Sequence, residues 1–431
     1  MLVMMISVIG VGMAYVTHML LAQWLGVAHY GHYVYALAWL NVLVTLVQVG
    51  MNTSTMRLTA ELRAKNNHGA VLGLSRFSTL VVLVCGCVII ATIIGAVALT
   101  VVYELALFTP TQVQTLAIML PLVIVLGLLN QRMAILQGFE RVAQAHMFLE
   151  VVRPVLLIAI MAVLLGVMEF EAPIAMAVNA LATMLTLVVA SVIVMRLLNS
   201  VDRNTGLVPE YHNRTWLAVS LPYLVIGGLT VVMDQSDVLI LGTLMGGAAA
   251  GLYLPALKLS QLILFPMLAI RSQAAPLLAK LYAENQLSEL QRQMNTSTVS
   301  SVLFGFVLLV VGIWQREFLL GLFGAEFVEA APAILVLAFG MATFVITGGI
   351  EVFLIFGPFE RMLVKIYVLV VVVNIALNLI LIPLMGFVGA AYATAATIIL
   401  RGVLSVYVVW RKTGILPWVP VSHQFDTPRA D

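Results

Sequence analysis

Long apolar runs separated by short polar connections make up most of the chain. A helix needs about 20 apolar residues to cross the hydrocarbon core of a bilayer. Runs of that size fall at 2–24, 33–56, 77–102, 113–136, 147–168, 172–197, 215–241, 251–274, 298–320, 330–356, 362–384 and 387–410. Gly, Pro, Asn and Asp mark most of the breaks between them, as turn chemistry requires. The pattern predicts an all-α integral membrane protein of about 12 transmembrane helices. The first 23 residues lack a cationic leader and an A-x-A site, so they read as a first membrane helix and not as a cleaved signal. The stretch after Arg411, with Pro417, Pro420 and Pro428, is too polar for another span and is expected to be a loose tail.

Composition sharpens this picture. Hydrophobic residues make up 62% and charged residues 9%, with mean hydropathy +1.10, against roughly 25% charged in a soluble domain. The net charge of +2 comes from basic residues dispersed between apolar runs, so no nucleic-acid partner is expected. Cys85 and Cys87 lie two apart in one run and point away from each other on a helix. They are expected to be reduced core residues, and no zinc or haem spacing occurs. Lysines and arginines concentrate in alternate connections (Arg57, Arg63, Lys65, Arg76, Arg132, Arg141, Arg196, Arg203, Arg214, Arg271, Lys280, Arg292, Arg361 and Lys365) and in the C-terminal segment. The intervening connections hold Arg316 alone, beside Glu169, Glu171, Glu326 and Glu329. That asymmetry predicts both termini on the cytoplasmic side. Trp24, Trp216, Trp314 and Trp410 fall near predicted span ends, where amphipathic rings favour the headgroup level.

A shift of 220 residues superimposes separate motifs. Gly26, Gly31, Tyr33 and Ala36 fall on Gly246, Gly251, Tyr253 and Ala256; Phe139-Glu140-Arg141 falls on Phe359-Glu360-Arg361; Gly166 falls on Gly386. One shared offset predicts a duplication into an N-terminal six-helix bundle at 1–198 and a C-terminal one at 215–411. A cytoplasmic linker at 199–214 joins them, and a cytoplasmic tail follows at 412–431. Six spans per half make the repeat parallel, an arrangement that places a substrate site in a central cavity between two rocking halves.

Ionisable residues inside the runs are the candidate chemistry, because charge in hydrocarbon is costly and usually functional. Asp234 and Asp237 are three apart and share a helix face. Counted from the turn at 242–251, Asp234 and Lys258 lie at similar depth, so they are expected to meet, as a structural pair or as one that opens during transport. Arg401 sits near the middle of the last run, where its planar fork suits bidentate phosphate contact or a carboxylate on a neighbouring helix. Arg153 precedes Pro154 at cavity depth; Glu150 is expected to reach the headgroups. Glu351, after Gly348-Gly349, reads as a coupling acid, a partner for Arg132 or Arg153, or an interfacial group. His18 is expected to donate to a neighbouring carbonyl. No Walker A, H-E-x-x-H or G-x-S-x-G pattern occurs and no external loop is long, so no enzymatic activity is expected.

The run Asp237-Val-Leu-Ile-Leu-Gly242, followed by Gly251-Leu-Tyr253 and Ala256-Leu-Lys258-Leu, resembles the middle signature of the bacterial polysaccharide (Wzx-type) flippases. Leu25-Gly26 with Tyr30-Gly31-His32-Tyr33 resembles their first outer turn, and Asn374-Ile-Ala-Leu-Asn378 with Ile382-Pro383, Gly386 and Gly389-Ala390-Ala391 their late-helix signature. The resemblance extends from about residue 20 to 410 and reaches the superfamily of the multidrug-and-toxin extruders and the lipid II flippase. It implies alternating-access transport of undecaprenyl-diphosphate-linked oligosaccharide across the bacterial inner membrane. Arg153, Lys258 and Arg401 would line the substrate pathway, and Asp234, Asp237 and Glu351 would supply ion coupling or counter-charge. No resident cofactor is implied beyond a coupling H+ or Na+. The expected partners are the lipid-linked substrate, membrane lipids, and a polysaccharide polymerase with its assembly proteins. A multidrug or cation antiporter and a lipid II flippase are the alternatives within the superfamily.

Overall fold

The computed structural model describes residues 2–102, 109–167, 169–202, 208–267, 278, 281–282, 284, 286–356 and 359–414. Arg271, Lys280 and most of the expected tail therefore lie outside the described residues, as does the middle of the expected linker. The main helices are α1 (Leu2–Gln48), α2 (Met51–Ala64), α3 (His68–Val102), α4 (Pro110–Gly138), α5 (Val142–Leu164), α6 (Ala172–Asp202) and α7 (Asn213–Leu244). They continue with α8 (Gly247–Gln261), α9 (Leu287–Trp314), α10 (Arg316–Gly321), α11 (Ala331–Phe356), α12 (Glu360–Met385) and α13 (Phe387–Thr413). Among the described residues there is no strand.

Eleven helical segments among the described residues are long and apolar enough to cross a membrane. The first, Met5–Gln48, has 44 residues and would extend about 66 Å if continuous, twice the roughly 30 Å hydrocarbon core. It is broken at Gly26, whose backbone (φ 67°, ψ 171°) is not helical. Counting α1 as two spans recovers the twelve apolar runs. Gly246 shows nearly the same conformation (φ 84°, ψ 176°) at the start of α8. This region of backbone space is essentially closed to residues with a Cβ. Two glycines 220 apart in sequence thus make the same break, as a duplication predicts.

The run expected at 33–56 ends earlier, at Gln48, and Met51 to Met56 begin the separate helix α2. Gly50 at φ 72° sits between the two helices. Trp216 is not interfacial as expected: it is 2% exposed, packed with Met51, Ala70 and Leu74. The cysteines are free, but Cys87 is exposed and not in the core. A helix that is apolar all round carries no sequence mark of which face meets protein and which meets lipid.

Contacts divide the chain into two compact units, Met1–Gln235 and Ser236–Asp431. The division falls inside α7, whereas the expected domain boundary lies in the linker at 199–214. The N-terminal part of α7 belongs with the first unit because Trp216 packs there and because the Ser220 and Ser54 hydroxyls hydrogen-bond at 2.5 Å. In the second unit α11 packs most extensively on α13. A Cβ at Gly402 would lie 2.6 Å from Thr347 Oγ1, so only glycine allows this approach. Small residues at such crossings are the usual means of close helix packing in membranes.

Candidate functional site

Asp237, on α7, is 3% exposed and is the centre of a polar cluster drawn from four helices of the second unit. Its Oδ2 accepts hydrogen bonds from the Tyr253 hydroxyl (2.8 Å) and the Thr394 hydroxyl (2.5 Å). Its Oδ1 accepts from Asn378 Nδ2 (2.6 Å) and Asn374 Nδ2 (3.3 Å). Asn374 also accepts from Ser236 Oγ (2.7 Å) and donates to Thr397 Oγ1 (3.3 Å). The local sequence explains the convergence. Asn374 and Asn378 are four apart, and Thr394 and Thr397 three apart, so each pair shares one face of α12 or α13.

Among the described residues Asp237 has no lysine or arginine as an ion-pair partner. A buried carboxylate needs hydrogen bonds and a compensating charge; the protein supplies the first and not the second. Asn378 Oδ1 is enclosed without a hydrogen-bond partner. An unspent amide oxygen beside a carboxylate and threonine hydroxyls is an oxygen set suited to a hard cation.

A second cluster lies on the α11–α13 contact. Glu351, 4% exposed, accepts from the Tyr367 hydroxyl at 2.5 Å. Arg401 Nε lies 3.9 Å from Glu351 Oε1, and the arginine side chain is 18% exposed. Its Cζ stands 4.3 Å from the centre of the Phe344 ring, a cation–π contact. Arg401 Nε is enclosed without a hydrogen-bond partner, and no nitrogen of Arg401 hydrogen-bonds a described residue. Glu351 Oε2 is also unpartnered. The acid expected to pair with Arg132 or Arg153, or to lie at the interface, is thus buried beside Arg401.

In the first unit Arg153 follows a π-helical turn, Met147–Val152, of the kind that often marks functional sites. Its guanidinium donates to Thr183 Oγ1 (3.0 Å) and Asn179 Oδ1 (3.1 Å). Arg132 instead donates to Thr79 Oγ1 at 3.2 Å. Glu150, expected at the headgroups, lies 2.6 Å from His146 Nδ1 with its Oε2 enclosed and unpartnered. His18 Nδ1 is 3.1 Å from the Tyr30 hydroxyl, across the Gly26 break.

Asp234 and Asp237, three apart on one helix face, differ in environment: Asp234 is exposed while Asp237 is buried. Three residues leave about 60° between side chains on a helix, enough to separate a packed face from an open one. Asp234 falls in the first unit and Lys258 in the second. Lys258 Nζ lies 3.5 Å from Gln261 Oε1.

The family described as polysaccharide biosynthesis protein matches residues 1–282. The chain belongs to that family. Among curated proteins no relative matches it in sequence. Solved structures similar to this polysaccharide biosynthesis family member include transporters and a flippase. An inward-facing multidrug resistance MATE family transporter of the MOP superfamily has a TM-score of 0.71 at 14% identity, over 95% of this chain and 94% of that one. The lipid II flippase MurJ in its inward closed conformation gives 0.69 at 13%, over 95% and 87%. A MOP superfamily transporter from Pyrococcus furiosus gives 0.62 at 15%, over 96% and 95%. At such identities the likeness establishes the fold, that of a multi-pass membrane protein.

Asp237, Glu351, Arg401 and Arg153 stand out in the family member's sequence, but the residues that surround them do not. Tyr253, Asn374, Asn378 and Thr394 around Asp237, and Tyr367 and Phe344 around the Glu351–Arg401 pair, were not among the candidates. A signal existed for two of them: Asn374 and Asn378 are polar residues one turn apart in an otherwise apolar run. A lone tyrosine or threonine in a span carries none.

Proposed function

We propose that this protein is a secondary active flippase for undecaprenyl-diphosphate-linked oligosaccharide, resident in the bacterial inner membrane with both termini in the cytoplasm. The observation that carries the reading is Arg401. A membrane-embedded guanidinium that donates no hydrogen bond to a described residue keeps its planar fork available for an oxyanion. The loose 3.9 Å approach of Glu351 supplies counter-charge that a phosphate can displace. Arg153 and Lys258 would add positive charge along the pathway, which suits an anionic cargo better than the organic cations of a multidrug antiporter. The absence of any acid, lysine or arginine from α1 also weighs against the antiporter. Membership of a polysaccharide biosynthesis family supports a polysaccharide precursor over lipid II as the cargo.

Asp237 fits the coupling role. An internal carboxylate lacking a protein cation calls for a mobile one, and the unspent Asn378 oxygen favours Na+ over H+ as its occupant. Binding at Asp237 would then link α7, α8, α12 and α13 through one charge, so that release and uptake bias alternating access. Asp234 would contribute counter-charge from its exposed position. The chain itself would perform no covalent chemistry. Its lipid-linked product would pass to a polymerase and assembly proteins on the outer face.

The test is reconstitution of the purified protein in vesicles containing undecaprenyl-diphosphate-linked oligosaccharide. An impermeant glycosidase or lectin would then read exposure of the sugar on the opposite leaflet. A Na+ gradient is expected to accelerate exposure. Failure to expose the sugar in either direction, with export of cationic dyes instead, would replace the flippase reading by the antiporter.

A further inference from the structure

The duplication allows the two polar clusters to be compared, each within its own unit. In the second unit the cluster uses Tyr253 of α8, Asn374 and Asn378 of α12, Thr394 and Thr397 of α13, and the acid Asp237 of α7. The corresponding helices of the first unit hold a counterpart. Tyr33 falls on Tyr253 under the shift of 220 and has Arg153 and Asn179 as its polar neighbours. Arg153 falls on Val373, next to Asn374, while Asn179 and Thr183 fall within α13. Both clusters therefore combine a phenol and a threonine hydroxyl from matching helices of the repeat, while the amide comes from α12 in the second unit and from α6, the match of α13, in the first.

Their charges are opposite. The shift places Asp237 on Thr17, whose hydroxyl is spent on the Met13 carbonyl oxygen at 2.7 Å, and α1 contributes no acid. In place of a carboxylate awaiting a cation, the first unit has a covalently attached cation. Arg153 occupies Asn179 Oδ1 and Thr183 Oγ1, the oxygens that a metal ion would otherwise take. Among the described residues it has no ion-pair partner. A second cation entering this cluster would find its oxygen ligands engaged and a like charge within a few ångströms, with little water to screen it.

We infer that Arg153 is a tethered cation standing permanently where the first unit would otherwise bind an exchangeable one, so that each transport cycle exchanges a single monovalent cation, at Asp237. This rests on the reading of Asp237 as the coupling site. It makes Arg153 a positioning residue that ties α5 to α6 in the way a bound ion ties the corresponding helices of the second unit. It also predicts that the halves respond unequally to the ion gradient, since only one of them loses its cation.

The experiment is the stoichiometry of radioactive Na+ bound to the purified full-length protein in lipid nanodiscs, read beside its thermal unfolding. Wild type is expected to bind one Na+ per chain, Asp237→Asn none, and Arg153→Lys one. Arg153→Glu, which offers a carboxylate to Asn179, Thr183 and Tyr33, is expected to bind two. Two ions in wild type and one in Asp237→Asn would overturn the tethered-cation inference while leaving the Asp237 site in place. Equal binding by wild type and Asp237→Asn, whether one ion or none, would overturn the Asp237 reading and this inference with it. A folded Arg153→Glu that binds a single ion would overturn the inference alone. If Arg153→Glu does not fold, the comparison of wild type with Asp237→Asn still decides.

Discussion

Replacing Arg401 by lysine separates recognition from stability. The substitution keeps a positive charge beside Glu351 but removes the planar fork and reduces the stacking on Phe344. Because Arg401 donates no hydrogen bond to a described residue, its loss leaves no hydrogen-bond acceptor stranded among them. The expected cost to folding is therefore confined to the cation–π difference, about 0.5–1 kcal/mol. Substrate binding is expected to suffer more. A hydrogen bond to a charged group contributes about 1.5–3 kcal/mol, and a bidentate contact with a diphosphate reduced to one bond forfeits roughly that amount. At 1.4 kcal/mol per tenfold, apparent affinity should fall by about 10- to 100-fold. The assay is initial rate of sugar exposure against lipid-linked substrate density in reconstituted vesicles, with thermal unfolding measured on the same preparation. Arg401→Lys is expected to show a raised KM, a nearly unchanged maximal rate and a nearly unchanged unfolding temperature. Wild-type KM in Arg401→Lys would refute phosphate recognition by the fork, as would a loss of transport that merely tracks a loss of stability.

Glu351→Gln retains an oxygen for the Tyr367 hydroxyl but removes the charge that competes for Arg401, so KM for the anionic substrate should fall. Unfolding stability should drop by about 1–3 kcal/mol, short of the ~3–5 kcal/mol for breaking a fully buried pair; an unchanged or raised KM counts against the displacement picture. Asn378→Leu removes the unspent amide oxygen offered to a cation at Asp237 and should weaken Na+-dependent thermal stabilisation about 10- to 100-fold in Na+ concentration, given ~1.5–3 kcal/mol for a contact with a charged group. Gly26→Ala and Gly246→Ala place a Cβ in open space but on backbone angles closed to it, so chemical denaturation should show about 1–3 kcal/mol of destabilisation for each; a difference larger than that range between the two would argue against equivalent breaks. Gly402→Ala sets a methyl 2.6 Å from Thr347 Oγ1 and should cost about 1–3 kcal/mol by overpacking, with Thr347→Ala relieving part of the loss.

The membrane class, the twelve apolar runs and the duplication were legible in the sequence for a simple reason. Hydrocarbon accepts only long apolar helices, so the solvent writes its thickness into the spacing of polar residues. A backbone break that admits only glycine likewise marks Gly26 and Gly246 directly. The candidate charges were legible too, because an ionisable group in a span is costly wherever it points. Which partner each one meets was decided by helix packing alone. Glu351 and Arg401 meet because the absence of a side chain at Gly402 brings α13 close to Thr347 on α11. Asp237 is buried among two asparagines, a tyrosine and a threonine while Asp234, three residues earlier, is exposed. Those outcomes depend on the rotation of each helix about its own axis, and a helix apolar on every face gives that rotation no signature along the chain.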